Sequence, residues 1–199
     1  LRRRFAGLHA FIGLSATLEP TALHREGLGL DPDRTSIVHI RAPDPGDRQK
    51  VVIDPGVDTT YKARTRQLPA IARRLVAFAE QVQGNTLVVL PSHEFLEQVR
   101  NALPSYSGWL EAQSRHDGEA ERSARLAVLE QRRDVLLLAV AGGLYTEGVD
   151  YPGDLLHAVA VVGPCLPPPT LERRLLAEHL EERLAGCCER QKIAAWCCC

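Results

Sequence analysis

Two uninterrupted apolar runs, Thr86 to Leu90 and Val135 to Val140, constrain this chain more than any other feature. A strand with one wet face alternates apolar and polar residues, whereas a strand covered on both faces reads as a continuous apolar run. Each run ends in a polar turn, Pro91-Ser92-His93 after the first and Gly142-Gly143 after the second. A third run, His157 to Val162, follows the second across a glycine-rich loop. Strands of this kind need helices above and below, so the predicted fold is a parallel α/β sheet joined by crossover helices.

The expected helices lie between the runs. From Lys62 to Gly84, Leu68, Ile71, Leu75, Val76, Phe78, Ala79 and Val82 recur at helical spacing. Pro69 is awkward inside that segment and moves the expected start to itself, and Gly84-Asn85 is read as the C-cap. Further helices are predicted over Glu94 to Leu103 and over Glu119 to Gln131, the latter with Leu126 and Leu129 inward. Pro104 to Gly118 is read as irregular. Thr170 caps a last helix with Leu171, Leu175, Leu176 and Leu180 on one face, stopping near Gly186. Near the N-terminus, Leu8 to Leu14 is expected to be a short buried strand ending at Ser15-Ala16-Thr17. A brief helix after Pro20 and strands at Ile37 to Ile40 and Lys50 to Asp54 follow.

Bulk composition narrows the function classes. The 199 residues are 45% hydrophobic and 25% charged, as in a soluble globular protein, with a formal net charge of −1. Nucleic-acid contact would therefore be local rather than a field of the whole chain. No apolar run reaches the roughly eighteen residues of a membrane span, and no signal-peptide pattern opens the chain, so no membrane partner and a cytoplasmic location are expected. The chain has no methionine and opens on Leu1, which predicts a piece of a longer protein. Cys187, Cys188, Cys197, Cys198 and Cys199 crowd the C-terminus without ligand spacing, and no metal site is expected.

No complete catalytic constellation is present. The phosphate loop G-x-x-x-x-G-K-[ST], the dinucleotide fingerprint G-x-G-x-x-G, G-x-S-x-G and H-E-x-x-H are all missing. What the chain carries instead is three polar loops after apolar runs: Ser15-Ala16-Thr17, Pro91-Ser92-His93, and Gly142 to Asp154. In a parallel sheet such loops share one edge, where hydroxyls and backbone N–H groups suit phosphate. Ser92 reads equally well as an N-cap for the helix that follows, and the two roles are compatible. On its own, the Gly142–Asp154 loop reads more readily as a turn-rich connection with solvated acids.

These three stretches, in this order, resemble the second half of the DinG/XPD-like branch of superfamily 2 DNA helicases. Gly13-Leu14-Ser15-Ala16-Thr17-Leu18 is similar to the family's S/T-A-T-L motif, and Gly84 to Ser92 (GNTLVVLPS) to its G-N-x-L-V-f-f-P-S motif. Gly142 to Asp154 (GGLYTEGVDYPGD) is similar to G-G-x-f-x-E-G-i-D-f-x-G-d, and the proline-rich run Val162 to Pro169 also has a family counterpart. The likeness extends to about Gly186.

The resemblance implies a RecA-like helicase C-terminal domain over 35–186, preceded in 1–34 by a remnant strand of the first motor domain and followed by a cysteine-rich tail over 187–199. It implies that Glu147, Gly148 and Asp150 face the nucleotide cleft, that Ser92 and Thr146 meet the DNA backbone, and that Ser15 and Thr17 couple the two motor domains. The implied parent uses ATP and Mg2+, admits an iron–sulfur cluster outside this chain, and acts on single-stranded or forked DNA in replication or repair with its first motor domain. The family's phosphate loop, acidic box and Q-x-x-G-R-x-x-R arginine-finger motif have no match here, so the polypeptide alone is expected to be inactive. The alternative is a non-catalytic single-stranded nucleic-acid-binding or regulatory α/β module.

Overall fold

The computed structural model describes residues 7–15, 18–19, 21–40, 49–166 and 170–184. They divide into two compact units, one holding the described residues up to 51 and from 170 onward, the other holding 52–166.

The 52–166 unit is built on a four-stranded, all-parallel sheet. Its strands are β1 (Thr86–Leu90), β2 (Trp109–Ala112), β3 (Val135–Val140) and β4 (Ala158–Val161), in the spatial order β2-β3-β1-β4. Side chains alternate across a strand, and in the central strands β1 and β3 both sets are covered, whereas edge strand β4 leaves Val159 and Val161 exposed. Val88, Leu90, Leu136, Leu138 and Val140 pack on one face against Ile71, Leu75 and Ala79 of α2 (Arg64–Gln81) and Phe95, Leu96 and Val99 of α3 (His93–Ala102). Leu87, Val135, Leu137 and Ala139 pack on the other face against Leu129 of α4 (Glu119–Gln131), Tyr145 and Leu155. β3 is buried at every position, as its unbroken apolar run predicts.

Three details depart from the sequence reading. First, β2 lies within the stretch read as irregular. Its four residues are an edge strand, and Trp109 and Leu110 are 45% and 39% exposed, so only pairing with Val135 to Leu138 makes it a strand. Second, α2 begins at Arg64 with Pro69 inside it. The proline lacks one N–H near the helix start and costs one backbone bond there, while Ile71, Leu75 and Ala79 beyond it anchor the helix.

Third, α2 ends at Gln81, and Gly84-Asn85 is not its cap. Gly84 is needed for space, because a Cβ there would collide with the His157 imidazole. Asn85 is fully buried. Its Nδ2 donates to the carbonyls of Leu129 at 2.8 Å, Arg132 at 3.0 Å and Leu155 at 3.0 Å, and its Oδ1 accepts from the Val135 N–H at 3.0 Å. One side chain thereby ties the end of α4, the start of β3 and the approach to β4.

In the other unit, α1 (Thr21–Leu28) forms as expected, followed by a 3₁₀ turn at Pro32–Arg34 capped by Asp31. No strand forms at Leu8 to Leu14, Ile37 to Ile40 or Lys50 to Asp54. Ile12, Leu14, Val38 and Ile40 are each at least 79% exposed. β-branched composition favours a pleated, half-buried surface, and without a neighbouring strand among the described residues it specifies nothing. α5 (Leu171–Leu184) starts at Thr170, whose hydroxyl accepts the Arg173 N–H at 3.3 Å, and Leu171, Leu175 and Leu176 on it are exposed. The expected stop at Gly186 and the cysteine tail lie outside the described residues. No helix among the described residues is long and apolar enough to cross a membrane.

Candidate functional site

After β1 the chain turns into α3, which covers one face of the sheet. After the adjacent β3 it turns the other way, and Tyr145 packs on the opposite face. Neighbouring parallel strands whose chains leave to opposite faces open a crevice at their C-terminal ends, the usual ligand position in an open α/β sheet. Ser92 follows β1 and Gly142 to Asp150 follow β3, the two adjacent strand ends at which that position falls.

Ser92 is an N-cap in extended conformation, its Oγ accepting the Phe95 N–H at 3.2 Å. That bond uses a lone pair and leaves the hydroxyl proton for another acceptor. His93, the first residue of α3, has its imidazole pKa pushed down by burial and by the nearby Arg115 cation, against the opposing pull of Asp117 and Glu97.

The β3 loop is closed on itself. The Thr146 hydroxyl accepts the Gly143 N–H at 3.0 Å and lies 2.9 Å from the Val140 carbonyl, to which it donates. The N–H groups of Thr146 and Glu147 both donate to the Gly143 carbonyl, at 3.0 and 3.1 Å. Gly142 adopts φ 71° and Gly148 φ 64°, left-handed values that other residues reach only at a cost. Gly143 is fixed by close approach instead, since a Cβ would lie 2.7 Å from Nε2 of the buried Gln113 and 2.9 Å from the Val140 carbonyl. Gln113 Oε1 in turn accepts the Val140 N–H at 2.9 Å, so the end of β3 and the loop rest on the residue after β2.

Beneath the loop lies a polar network that sequence reasoning missed. Tyr145 is fully buried, and its hydroxyl accepts from Arg125 at 2.8 Å and donates to Asp117 at 3.3 Å. Arg125 also bonds Asp117 at 2.6 Å and Glu111 at 3.1 Å. Burial comes first in raising the Tyr145 phenol pKa, against the lowering influence of Arg125. Burial likewise pushes the Tyr151 phenol up to about 12, against the nearby Arg122 cation, and the Tyr151 hydroxyl donates to the Tyr145 carbonyl at 2.7 Å. The glycines and acids mark this loop in the sequence, while nothing in it marks the two tyrosines that seat it. The aromatic-to-arginine pairing spans 20 residues, and no local periodicity signals it.

The residues expected at the nucleotide, Glu147, Gly148 and Asp150, fall together on the outer surface of the loop. Glu147 and Asp150 are exposed, and neither side chain bonds another described residue. A Cβ at Gly148 would meet nothing within 4 Å, so open space surrounds it. As carboxylates, Glu147 and Asp150 accept only; they suit sugar hydroxyls or a magnesium ion rather than phosphate oxygens. Ser15 is exposed in the other unit, and Thr17 lies outside the described residues. Among the described residues no three His, Cys, Asp or Glu side chains gather as metal ligands.

Residues 75–195 match the model of the helicase C-terminal domain. The chain belongs to that family. It is 25% identical over 185 residues to a probable ATP-dependent helicase of Methanocaldococcus jannaschii, covering 86% of this chain and 27% of that protein. Its fold is similar to that of a solved XPD helicase, with a TM-score of 0.52 and 24% identity over 63% of this chain and 22% of the other. The chain thus spans about a quarter of the length of the relatives it matches. Within the helicase C-terminal domain, the parallel α/β core expected from the apolar runs is present, with Ser92 and the Gly142–Asp154 loop on adjacent strands of it.

Proposed function

We propose that this chain is the second motor domain of an ATP-dependent DNA helicase, with the β1/β3 crevice as its working edge. The observation that carries this reading is the juxtaposition at adjacent strand ends of a phosphate-competent hydroxyl, Ser92, and an internally hydrogen-bonded loop presenting Glu147, Gly148 and Asp150. Ser92 donates its free proton to a backbone phosphate, and the positive end of the α3 dipole favours the same anion. Thr146 joins that contact only by releasing its bond to the Val140 carbonyl, which makes it a loop-closing residue first. Glu147 and Asp150 would hold the ribose or the magnesium ion of ATP, and Gly148 would keep the loop surface open for the nucleotide's approach.

ATP supplies the phosphoryl transfer that drives strand movement. Such transfer depends on positioning and charge stabilisation from several groups at once. This sequence holds no phosphate-loop lysine, acidic box or arginine-finger motif. On this reading the 199-residue polypeptide by itself does not hydrolyse ATP, and the Ser92 edge gives it affinity for single-stranded DNA. Titrating it with a labelled oligonucleotide at several salt concentrations, beside a phosphate-release assay, tests both halves. DNA-stimulated ATP hydrolysis by the pure chain contradicts the claim that its ATP site is incomplete, and absence of DNA binding at low salt contradicts the edge itself.

A further inference from the structure

Tyr61, Arg64 and Phe95 form a single stack on the 52–166 unit. The Arg64 guanidinium carbon lies 4.6 Å from the Tyr61 ring centroid and 4.7 Å from that of Phe95, within the range of cation–π attraction. Phe95 is buried at 1% exposure and Tyr61 is 80% exposed, so the stack runs outward from the core and ends on an open aromatic face. Arg64 forms no ion pair with a described residue. The contrast with Arg132 over Trp109 is informative. That guanidinium is bonded to Asp134 at 2.6 Å and sits at the opposite end of the strands, where the pairing serves the fold.

The position of the first stack is what gives it meaning. Its inner ring belongs to the residue whose N–H donates to Ser92 Oγ. The segment leading into it lies against the end of β4, where a Cβ on Gly163 would come 3.2 Å from Thr59 Oγ1. The stack therefore stands on the same C-terminal edge as Ser92. Lys62 and Arg66 beside it are exposed, as are the carboxylates of Asp58, whose Oδ1 accepts the Thr60 N–H at 2.9 Å, and of Glu94 next to Phe95.

We propose that the Tyr61–Arg64–Phe95 stack is a base-stacking platform for single-stranded nucleic acid, receiving the nucleobase next to the phosphate held by Ser92. A base has a π-face whatever its sequence, so this platform adds affinity without sequence preference. Arg64 orients the Tyr61 ring and contributes positive charge beneath it. The inference rests on the nucleic-acid reading of the edge and adds a residue-level contact to it.

The test uses the full 199-residue chain and oligodeoxythymidine carrying one 2-aminopurine. Wild type is expected to quench the 2-aminopurine. Tyr61→Ala is expected to weaken binding on the order of tenfold, abolish the quench and leave the salt slope unchanged. Tyr61→Trp is expected to bind as wild type does. On an abasic strand, wild type and Tyr61→Ala should bind equally. Because Tyr61 is 80% exposed, thermal unfolding of Tyr61→Ala should match wild type. Equal binding of wild type and Tyr61→Ala to the base-bearing strand overturns the platform while leaving the edge reading intact. A wild type that binds no strand at low salt overturns both.

Discussion

The side-chain amide of Asn85 reaches the backbone carbonyl of Leu155 at 3.0 Å, joining residues 70 apart in the chain. The same buried amide meets two carbonyls at the end of α4 and the first N–H of β3. Asn85 lies at the opposite end of the strands from Ser92, so it builds the frame in which the crevice sits without touching it.

Replacing Asn85 with alanine strands several buried backbone groups at once. Each unsatisfied group costs roughly 1–3 kcal/mol, and the loss expected in urea unfolding is on the order of 3 kcal/mol. Asn85→Asp should be no better, since it removes the donors and buries a charge. A loss below about 1 kcal/mol for either variant contradicts the hub.

Thr86, next along the chain, is fully buried, and its hydroxyl finds no partner among the described residues. Thr86→Val keeps the shape and removes the stranded polar atom. It is expected to raise stability by about 1 kcal/mol, readable as a higher urea midpoint at unchanged slope.

The Arg125–Asp117–Tyr145 network predicts a graded response. Arg125→Ala leaves the Asp117 carboxylate, 4% exposed, without its cation and should cost roughly 3 kcal/mol. Tyr145→Phe keeps the ion pair and loses one hydroxyl, so about 1 kcal/mol is expected. Hydrogen exchange of the amides from 145 to 151 should quicken in both, more in the first. Equal effects of the two substitutions contradict the network.

His93 supplies a pH-dependent check. Burial and Arg115 lower its pKa from 6.5, so protonation is disfavoured in the folded chain. Its contribution to stability is complete above pH 6.5 and is lost as the pH falls through the lower folded value. NMR titration of the imidazole should show that depressed pKa, with Arg115→Ala moving it only part of the way back because burial is the larger cause. Adding single-stranded DNA should raise it, since phosphate at Ser92 favours the imidazolium. A His93 pKa unmoved by saturating DNA places the strand elsewhere.

The parts of this fold legible in the sequence are those whose causes are local. β1, β3 and α4 fall where the apolar runs and helical spacing put them, because covering both faces of a strand leaves its mark on every residue of it. The role of Asn85 was hidden because its partners lie 44 to 70 residues away along the chain. β2 was hidden because an edge strand of four residues depends on its neighbour rather than on its own pattern. Ile37 to Ile40 shows the converse error, strand-like residues with no sheet to join. At the site, the position of Ser92 as cap and edge hydroxyl was legible from Pro91-Ser92-His93. The clasp of Thr146 on Val140 and the seating of Tyr145 on Arg125 were not, since each joins residues that sequence spacing does not mark as neighbours.

Ser92→Asp separates the cap from the phosphate contact and tests the account most directly. Aspartate caps a helix as well as serine does, so the variant should unfold within about 0.5 kcal/mol of wild type. It places a negative charge where the strand's phosphate is expected. Salt-dependent binding of oligodeoxythymidine should therefore fall by at least an order of magnitude in the variant, with stability preserved. Binding equal to that of wild type, in a folded Ser92→Asp chain, contradicts a nucleic-acid edge at the crevice between β1 and β3.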